Sequence, residues 1–271
     1  MKYLGDIVEC SKEWTWLMRS HCNTISVIIP VFGNKVDLLK TISSLSSSIL
    51  SGTEVGLQLI IIDGTDFAVS SLEEVEAIRA VSIEDIVYIH ESDEGPYDAM
   101  NKGIALATGY WMWFLNSGDE AIELPTYTGI GTTKSLIIGR WMGTSGNIMI
   151  PSKERGLGSG SRSEIGCGLC HQAMLFNRKR FGNKLYDYGK YSLAAELDYF
   201  YSAITAEDYF LDELFMVKYD NKRGLSKSKA VAHLKQSLAI YSENKFRISK
   251  KRLLRRYFSA QWNQWQARIR R

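Results

Sequence analysis

Cysteine is scarce in this 271-residue chain: Cys10, Cys22, Cys167 and Cys170 are too few and too scattered for a disulfide scaffold, so reduced thiols are expected. Long apolar runs are missing as well. No stretch approaches the roughly 18–20 apolar residues that span a bilayer, and the first residues lack the apolar core of a signal peptide. The cytoplasm is the compartment expected on those grounds. No internal repeat or linker calls for a second domain. Acid is absent from one place where it matters: residues 244–271 contain ten Lys or Arg and no Asp or Glu, so the overall charge of +3 leaves −7 on residues 1–243. With 45% hydrophobic and 23% charged residues, the remainder has the composition of an ordinary globular protein with enough apolar mass for a sizeable core.

Residues 1–24 show no clear period and are read as an N-terminal extension. From Ile25 the pattern becomes regular. Ile25–Val31 and Leu57–Asp63 are continuous apolar runs of the kind that form strands buried on both faces, with a further strand at Ile86–Ile89 and another at Tyr110–Leu115. Between them, Leu38, Ile42 and Leu45 recur at helical spacing behind Asp37, a helical stretch covers Leu72–Ala80, and a third runs from Tyr97 to Ala107. Gly109 is placed to end that third helix through a left-handed cap. This alternation predicts an α/β domain over residues 25–243, with a mostly parallel, Rossmann-like central sheet flanked by helices. Strands near Ser135–Arg140 and Leu214–Lys218, helices near Leu193–Ile204 and Ser226–Glu243, and an exposed, mobile Gly- and Ser-rich loop over 151–170 complete the prediction.

Open α/β sheets bind ligands beyond the carboxyl ends of their strands. Phe32, Asp63, Glu91, Asp93 and Asp119 all fall there. Each acid taken alone is an ordinary helix cap, because Asp is a preferred residue at that position. Their convergence on one edge suits a nucleoside diphosphate, which needs acceptors for base and ribose and a divalent cation on its phosphates. Mg²⁺ typically takes only one or two protein carboxylates and completes its oxygen shell with phosphate and water.

Four ordered segments carry a family resemblance: Ser26–Phe32 (SVIIPVF), Ile60–Gly64 (IIIDG), Glu91–Ile104 (ESDEGPYDAMNKGI) and Phe114–Asp119 (FLNSGD). Over roughly residues 24–226 they resemble family 2 glycosyltransferases of the GT-A fold, in particular the branch found in bacterial exopolysaccharide clusters, of colanic-acid type. The resemblance implies that Pro30 and Phe32 line a base pocket, that Asp63 reads the uracil or ribose, and that Asp93 completes the nucleoside site. Asp119 matches the last acid of the Asp-x-Asp metal motif, with Ser117 in the first acidic position, which leaves one carboxylate for Mg²⁺ or Mn²⁺. Met100 stands where many relatives carry an Arg before the Asn, here Asn101; Lys102 then either supplies the positive charge or is merely solvated. Ala194–Tyr199 (AAELDY) matches the acidic motif of the branch. Transfer to a hydroxyl with inversion needs a carboxylate to accept its proton, with Glu196 the first candidate and Asp198 the reserve. His171 and Gln172 fall where the branch often has the same pair. They are read either as an acceptor-side or product-phosphate contact or, for the imidazole, as core packing.

Cys167-Gly-Leu-Cys-His171 matches the c-type haem attachment pattern by spelling, but the missing export signal and the surrounding chain argue against it. The stretch from Phe246 to Arg271 has another character. Leu254, Phe258, Trp262, Trp265 and Ile269 form an apolar helical stripe among Lys and Arg, which predicts a basic amphipathic helix over 244–271 lying on an anionic membrane surface. Packing of that stripe on the catalytic domain is the plain alternative, and nucleic acid is not the expected partner. Taken together, the residues and the resemblance imply a nucleotide-sugar donor, uridine-linked by analogy with the branch, and a lipid-linked saccharide acceptor at the inner face of the inner membrane. Two rival functions are a degenerate glycosyltransferase-like scaffold and a sugar nucleotidyltransferase. For the latter, Phe32-Gly-Asn-Lys35 is a poor phosphate loop.

Overall fold

A computed structural model describes residues 24–49, 55–77, 83–125, 131–151, 169–182, 184–219 and 229–243, together with Phe258 and Trp262. The expectations for residues 1–23, for most of the 151–170 loop and for all but those two residues of the basic tail lie outside the described residues. Phe258 and Trp262 are both helical and more than half exposed.

The strands are β1 (Thr24–Val31), β2 (Gly56–Asp63), β3 (Ile83–His90), β4 (Trp111–Phe114), β5 (Glu120–Glu123), β6 (Leu136–Met142), β7 (Ile148–Met149), β8 (Met174–Asn177) and β9 (Tyr209–Lys218). The helices are α1 (Lys35–Ile49), α2 (Leu72–Ala77), α3 (Pro96–Leu106), α4 (Arg178–Phe181), α5 (Ala195–Thr205) and α6 (Ala230–Glu243). One sheet joins the strands in the order β3-β2-β1-β4-β8-β6-β9-β5, with β7 on β6.

β1 is the spine. It pairs in parallel with β2 from Thr24↔Gly56 to Val31↔Asp63, and with β4 from Ile25↔Trp111 to Ile28↔Phe114. Its side chains alternate between two cores. Ile25, Val27, Ile29 and Val31 pack with Leu38, Ile42 and Leu45 of α1, whereas Ile28 packs with Ala99, Met100 and Ile104 of α3. Burial on both faces explains why β1 and β2 are uninterrupted apolar runs in the sequence. α1 opens with a reciprocal cap, since the Asn34 side chain accepts from the backbone N–H of Asp37 at 3.0 Å and donates to its carboxylate at 3.2 Å.

The parallel expectation holds for β3-β2-β1-β4 and for β6 with β9 within a sheet that is mixed, because β8 runs antiparallel to both β4 and β6, and β5 antiparallel to β9. A parallel partner needs a long crossover, usually a helix. After β4 the chain turns at the strand-end edge into β5 without one, and β8 likewise enters from that edge through the 3-10 turn His171–Ala173. One expectation is corrected: Gly109 does not form a left-handed cap. α3 ends at Ala107 in extended backbone, and Gly109 is absent from the residues with positive φ. Its glycine is needed for close approach, because a Cβ there would lie 2.6 Å from the backbone N of Ser26 and 2.8 Å from its Oγ, the same hydroxyl that accepts a bond from the Gly109 N–H.

Gly109→Ala should therefore push β4 away from β1. We expect a loss of about 1–3 kcal/mol, read as a lower Tm in thermal denaturation; an unchanged Tm would refute the close-approach account.

Candidate functional site

The parallel register brings Val31, Asp63 and His90 level with one another, so the loops after β1, β2, β3 and β4 open on one edge. Because β8 is antiparallel to β4, its N-terminal turn at His171–Ala173 meets the same edge. The strand-end acids and the His171–Gln172 pair, far apart in the chain, are thus neighbours along one rim.

At the β1–β2 end of the rim, Phe32 projects into solvent with 87% exposure directly after β1, while Asp63 is completely buried. Oδ1 of Asp63 accepts from the N–H and hydroxyl of Thr65 (3.1 and 2.5 Å), and Oδ2 from the Val69 N–H and the Tyr88 hydroxyl (2.8 and 2.6 Å). Four bonds fill the acceptor capacity of a carboxylate. Burial alone would raise its pKa, but these bonds from Thr65, Tyr88 and Val69 together hold it below the usual value. In this structure Asp63 organises the 63–70 loop, and contact with a base or ribose requires exchange of one of these bonds. Asp93 lies over Gly64, where a Cβ would come within 1.8 Å of its Oδ2. Asp93 accepts from the Gly95 N–H at 2.8 Å, and burial raises its pKa.

The helix after this loop spends its polar groups internally. Asn101 clamps residue 186, donating to its carbonyl (3.0 Å) and accepting from its N–H (2.8 Å). Lys102 donates to the Ser92 carbonyl at 2.6 Å and pairs with Glu91 at 3.0 Å and Asp98 at 3.5 Å, which together keep its pKa raised. Lys35, from the rejected phosphate loop, is ion-paired to Glu74.

The Asn116–Asp119 loop is pinned by α1, a link that the sequence pattern did not reveal. The buried Thr41 hydroxyl accepts from the Gly118 N–H at 2.9 Å and donates to the Asp119 carbonyl at 2.8 Å, while Ser117 N–H reaches the Pro30 carbonyl at 3.4 Å. Gly118 has φ of 99°, a left-handed value that glycine adopts without strain. Asp119 is 3% exposed. Among the described residues no three His, Cys, Asp or Glu side chains are grouped to hold a metal ion by themselves. A hard cation that takes most of its oxygens from phosphate and water needs fewer protein ligands. The loop meets that smaller demand with the Asp119 carboxylate and with Ser117 Oγ, a buried hydroxyl that makes no hydrogen bond.

Beyond Asp119 lies the turn at His171. The Cys170 thiol is pushed up to about 12, first by burial, then by the Asp119 carboxylate and more weakly by Glu196. His171 is packed against Phe114, with ring centroids 5.3 Å apart, and its Nε2 bonds the Tyr186 hydroxyl at 2.7 Å. Burial lowers its pKa to about 4, so it is neutral near pH 7. Gln172 is buried too; its carbonyl accepts from the Trp113 indole at 2.6 Å and its side chain from Cys170 at 3.1 Å.

Glu196 sits in the first turn of α5. One oxygen, Oε2, accepts from the Tyr97 hydroxyl, and Oε1 faces Nε2 of His233 at 3.5 Å. Burial favours the protonated acid, yet contacts from His233 and Tyr97 outweigh it and keep the carboxyl below its usual pKa. Two residues further on, Asp198 is turned about 200° around the helix, and its backbone carbonyl accepts from Lys184 at 2.8 Å. Tyr97 and His233 were not singled out from sequence: each lies on a different helix from Glu196, and no local spacing links them.

Residues 26–123 match the protein family described as Glycosyl transferase family 2. A PGL/p-HBAD biosynthesis glycosyltransferase of Mycobacterium bovis (strain BCG / Pasteur 1173P2) is 28% identical over 164 residues, which cover 58% of this chain and 60% of the relative. An uncharacterized glycosyltransferase of Mycobacterium tuberculosis (strain CDC 1551 / Oshkosh) is 36% identical over 98 residues, 36% of this chain and 34% of that protein. The chain thus spans 60% or less of the length of these relatives. Among solved structures, S. aureus TarS 1-349 in complex with UDP-GlcNAc superposes with a TM-score of 0.54 at 13% identity over 87% of this chain and 73% of that one. The same protein in complex with UDP gives 0.52 at 12% identity over 86% and 69%. The fold is GT-A-like, with a mixed central sheet flanked by helices.

The lowered pKa of Asp63 makes a pH-dependent contribution to stability. That contribution is fully present above the unfolded value near 3.8 and is lost as pH falls through the lower folded value. Asp63→Asn should cost about 2–3 kcal/mol at pH 7, with the gap to the parent chain narrowing below about pH 4 in urea denaturation. A gap independent of pH would show that the carboxylate charge is not what holds the loop.

Proposed function

We propose that the chain is an inverting glycosyltransferase, moving a sugar from a nucleotide-sugar donor, a UDP-sugar, to a hydroxyl of a lipid-linked saccharide in bacterial surface polysaccharide synthesis. The observation that carries this reading is the placement of two acids at the strand-end edge: Asp119 in the loop after β4, and Glu196, whose carboxylate accepts from Tyr97 in the first turn of the helix that leaves this edge after β3. The UDP and UDP-GlcNAc complexes of TarS support a uridine donor, and the relatives named glycosyltransferases support the reaction class. Fold likeness leaves the sugar, linkage and acceptor to be established from the site.

In this reading the donor diphosphate lies along the β1–β4 edge with Phe32 and Pro30 beside the base. Asp119, with Ser117 Oγ, would hold a divalent cation, Mg²⁺ or Mn²⁺, which would supply charge neutralisation for the departing diphosphate. Glu196 is kept ionised at neutral pH and enclosed, as a general base requires. It takes the proton from the acceptor hydroxyl as that oxygen forms its bond to the anomeric carbon. The anomeric carbon–phosphate oxygen bond breaks with its electron pair leaving on UDP. Attack from the face opposite the leaving group inverts the anomeric centre.

Differential scanning fluorimetry with UDP and UDP-GlcNAc, with and without Mn²⁺, tests the donor assignment. A ligand at about a hundred times its Kd adds about 2.7 kcal/mol, a rise of roughly 5–10 °C for a domain of this size. Asp119→Ala should lose the Mn²⁺-dependent part of that rise. Glu196→Gln should keep the rise but release no UDP when a donor and acceptor panel is offered. Wild-type turnover in either variant would sink the corresponding role. Pyrophosphate as the product would mean a nucleotidyltransferase, and binding without any turnover a degenerate scaffold.

The acceptor proposal leans on the basic, aromatic stretch 246–271, which we place on anionic lipid at the cytoplasmic face of the inner membrane. No helix among the described residues is long and apolar enough to cross a membrane. Co-sedimentation with phosphatidylglycerol vesicles should be strong at low salt, weaken at high salt, and fall sharply when Lys250, Lys251, Arg252, Arg255 and Arg256 are changed to Gln. Equal sedimentation of parent and variant would remove the membrane from the proposal.

A further inference from the structure

The carboxylate of Glu196 is held from two helices. Tyr97, in the first turn of α3, donates to Oε2. His233, on α6, places Nε2 3.5 Å from Oε1, and the two side chains have matching low exposure of 18% and 19%. The other nearby imidazole, His171, is committed to Tyr186 and stacked on Phe114. A single contact at Oε2 would leave the carboxylate free to rotate about that bond; the second contact fixes where Oε1 points. Each carboxylate oxygen can accept two hydrogen bonds, so Oε1 retains a lone pair for an incoming hydroxyl.

We infer that His233 is a positioning residue for the acceptor-activating carboxylate, and that α6 is for this reason part of the site; the inference rests on Glu196 being the base. α6 is docked next to Glu196 by other bonds as well. Gln236 accepts from the Leu193 N–H at 2.8 Å and donates to Ser192 at 3.1 Å, and Glu243 accepts from Lys190 and Tyr191 at 2.7 and 2.6 Å. These contacts supply the control, because a purely structural α6 would respond in the same way to loss of Gln236 and of His233.

The experiment compares His233→Ala, His233→Gln, Gln236→Ala and Glu196→Gln in the full chain. UDP release is followed from UDP-GlcNAc, or from whichever UDP-sugar of the panel turns over, with Mn²⁺ and the panel acceptor. Donor binding is measured by thermal shift and folding by Tm. His233→Ala should lower kcat about ten- to a hundredfold through misplacement of the base, with donor KM and the donor-induced thermal shift unchanged. His233→Gln, whose amide can donate to Oε1, should recover most of that loss. Gln236→Ala should stay within twofold of the parent kcat even if its Tm falls. A His233→Ala kcat within twofold of the parent, while Glu196→Gln is inactive, overturns the role of His233 and leaves the transferase reading standing. Equal losses in His233→Ala and Gln236→Ala, or no recovery in His233→Gln, also overturn it. An active Glu196→Gln, or a parent chain that releases no UDP, removes the base assignment and this inference together.

Discussion

Everything at the site follows from the double pairing of β1. A strand bonded in parallel on both edges and buried on both faces cannot slip by one residue without turning its core side chains to the wrong layer. That restriction sets the ends of β2 and β4 relative to β1. Because parallel strands all end on the same side, it also gathers Phe32, Asp63, Asp93 and the Asn116–Asp119 loop on one rim. Ser26 shows how tight the arrangement is: its hydroxyl donates to Gln58 on β2 at 2.6 Å and accepts from Gly109 ahead of β4 at 2.8 Å, joining the three strands inside the core.

The rim contains two kinds of acid. Asp63 is saturated by three bonds from its own loop and one from Tyr88 of β3, which offset the cost of burying its carboxylate. Asp119 and Glu196 are each held by a partner from another element: Asp119 at its backbone carbonyl by Thr41 of α1, Glu196 at its carboxylate by Tyr97 of α3 and His233 of α6. Support from helices rather than from the same loop limits motion, which is what the proposed transfer would demand. His171 is a neutral imidazole stacked on Phe114 and bonded to Tyr186.

The parallel half of the fold was legible in the sequence because its signal is local. Continuous apolar runs marked β1 and β2, helical spacing of Leu38, Ile42 and Leu45 marked α1, and the stretch from Tyr97 to Ala107 marked α3. The second half was harder to read. β5 and β8 have only four residues each, too few to show a period, and their antiparallel direction depends on which edge the chain re-enters. Gly109 was expected as a left-handed helix cap, whereas its need for glycine comes from the Ser26 backbone across the sheet, which no neighbouring residue reveals.

Sequence by itself determined the alternation of strands and helices and the run of acids at strand ends, because those depend on residue type and short spacing, and its family resemblance supplied the candidacy of Asp119 and Glu196. Tertiary structure alone decided which acids already have internal partners, that Thr41 anchors the Asp119 loop, and that Tyr97 and His233 close on Glu196 from 99 and 37 residues away. The physical reason is that a hydrogen bond or ion pair requires contact within a few ångströms, and contacts between helices on different parts of the chain exist only once the sheet has brought those helices together.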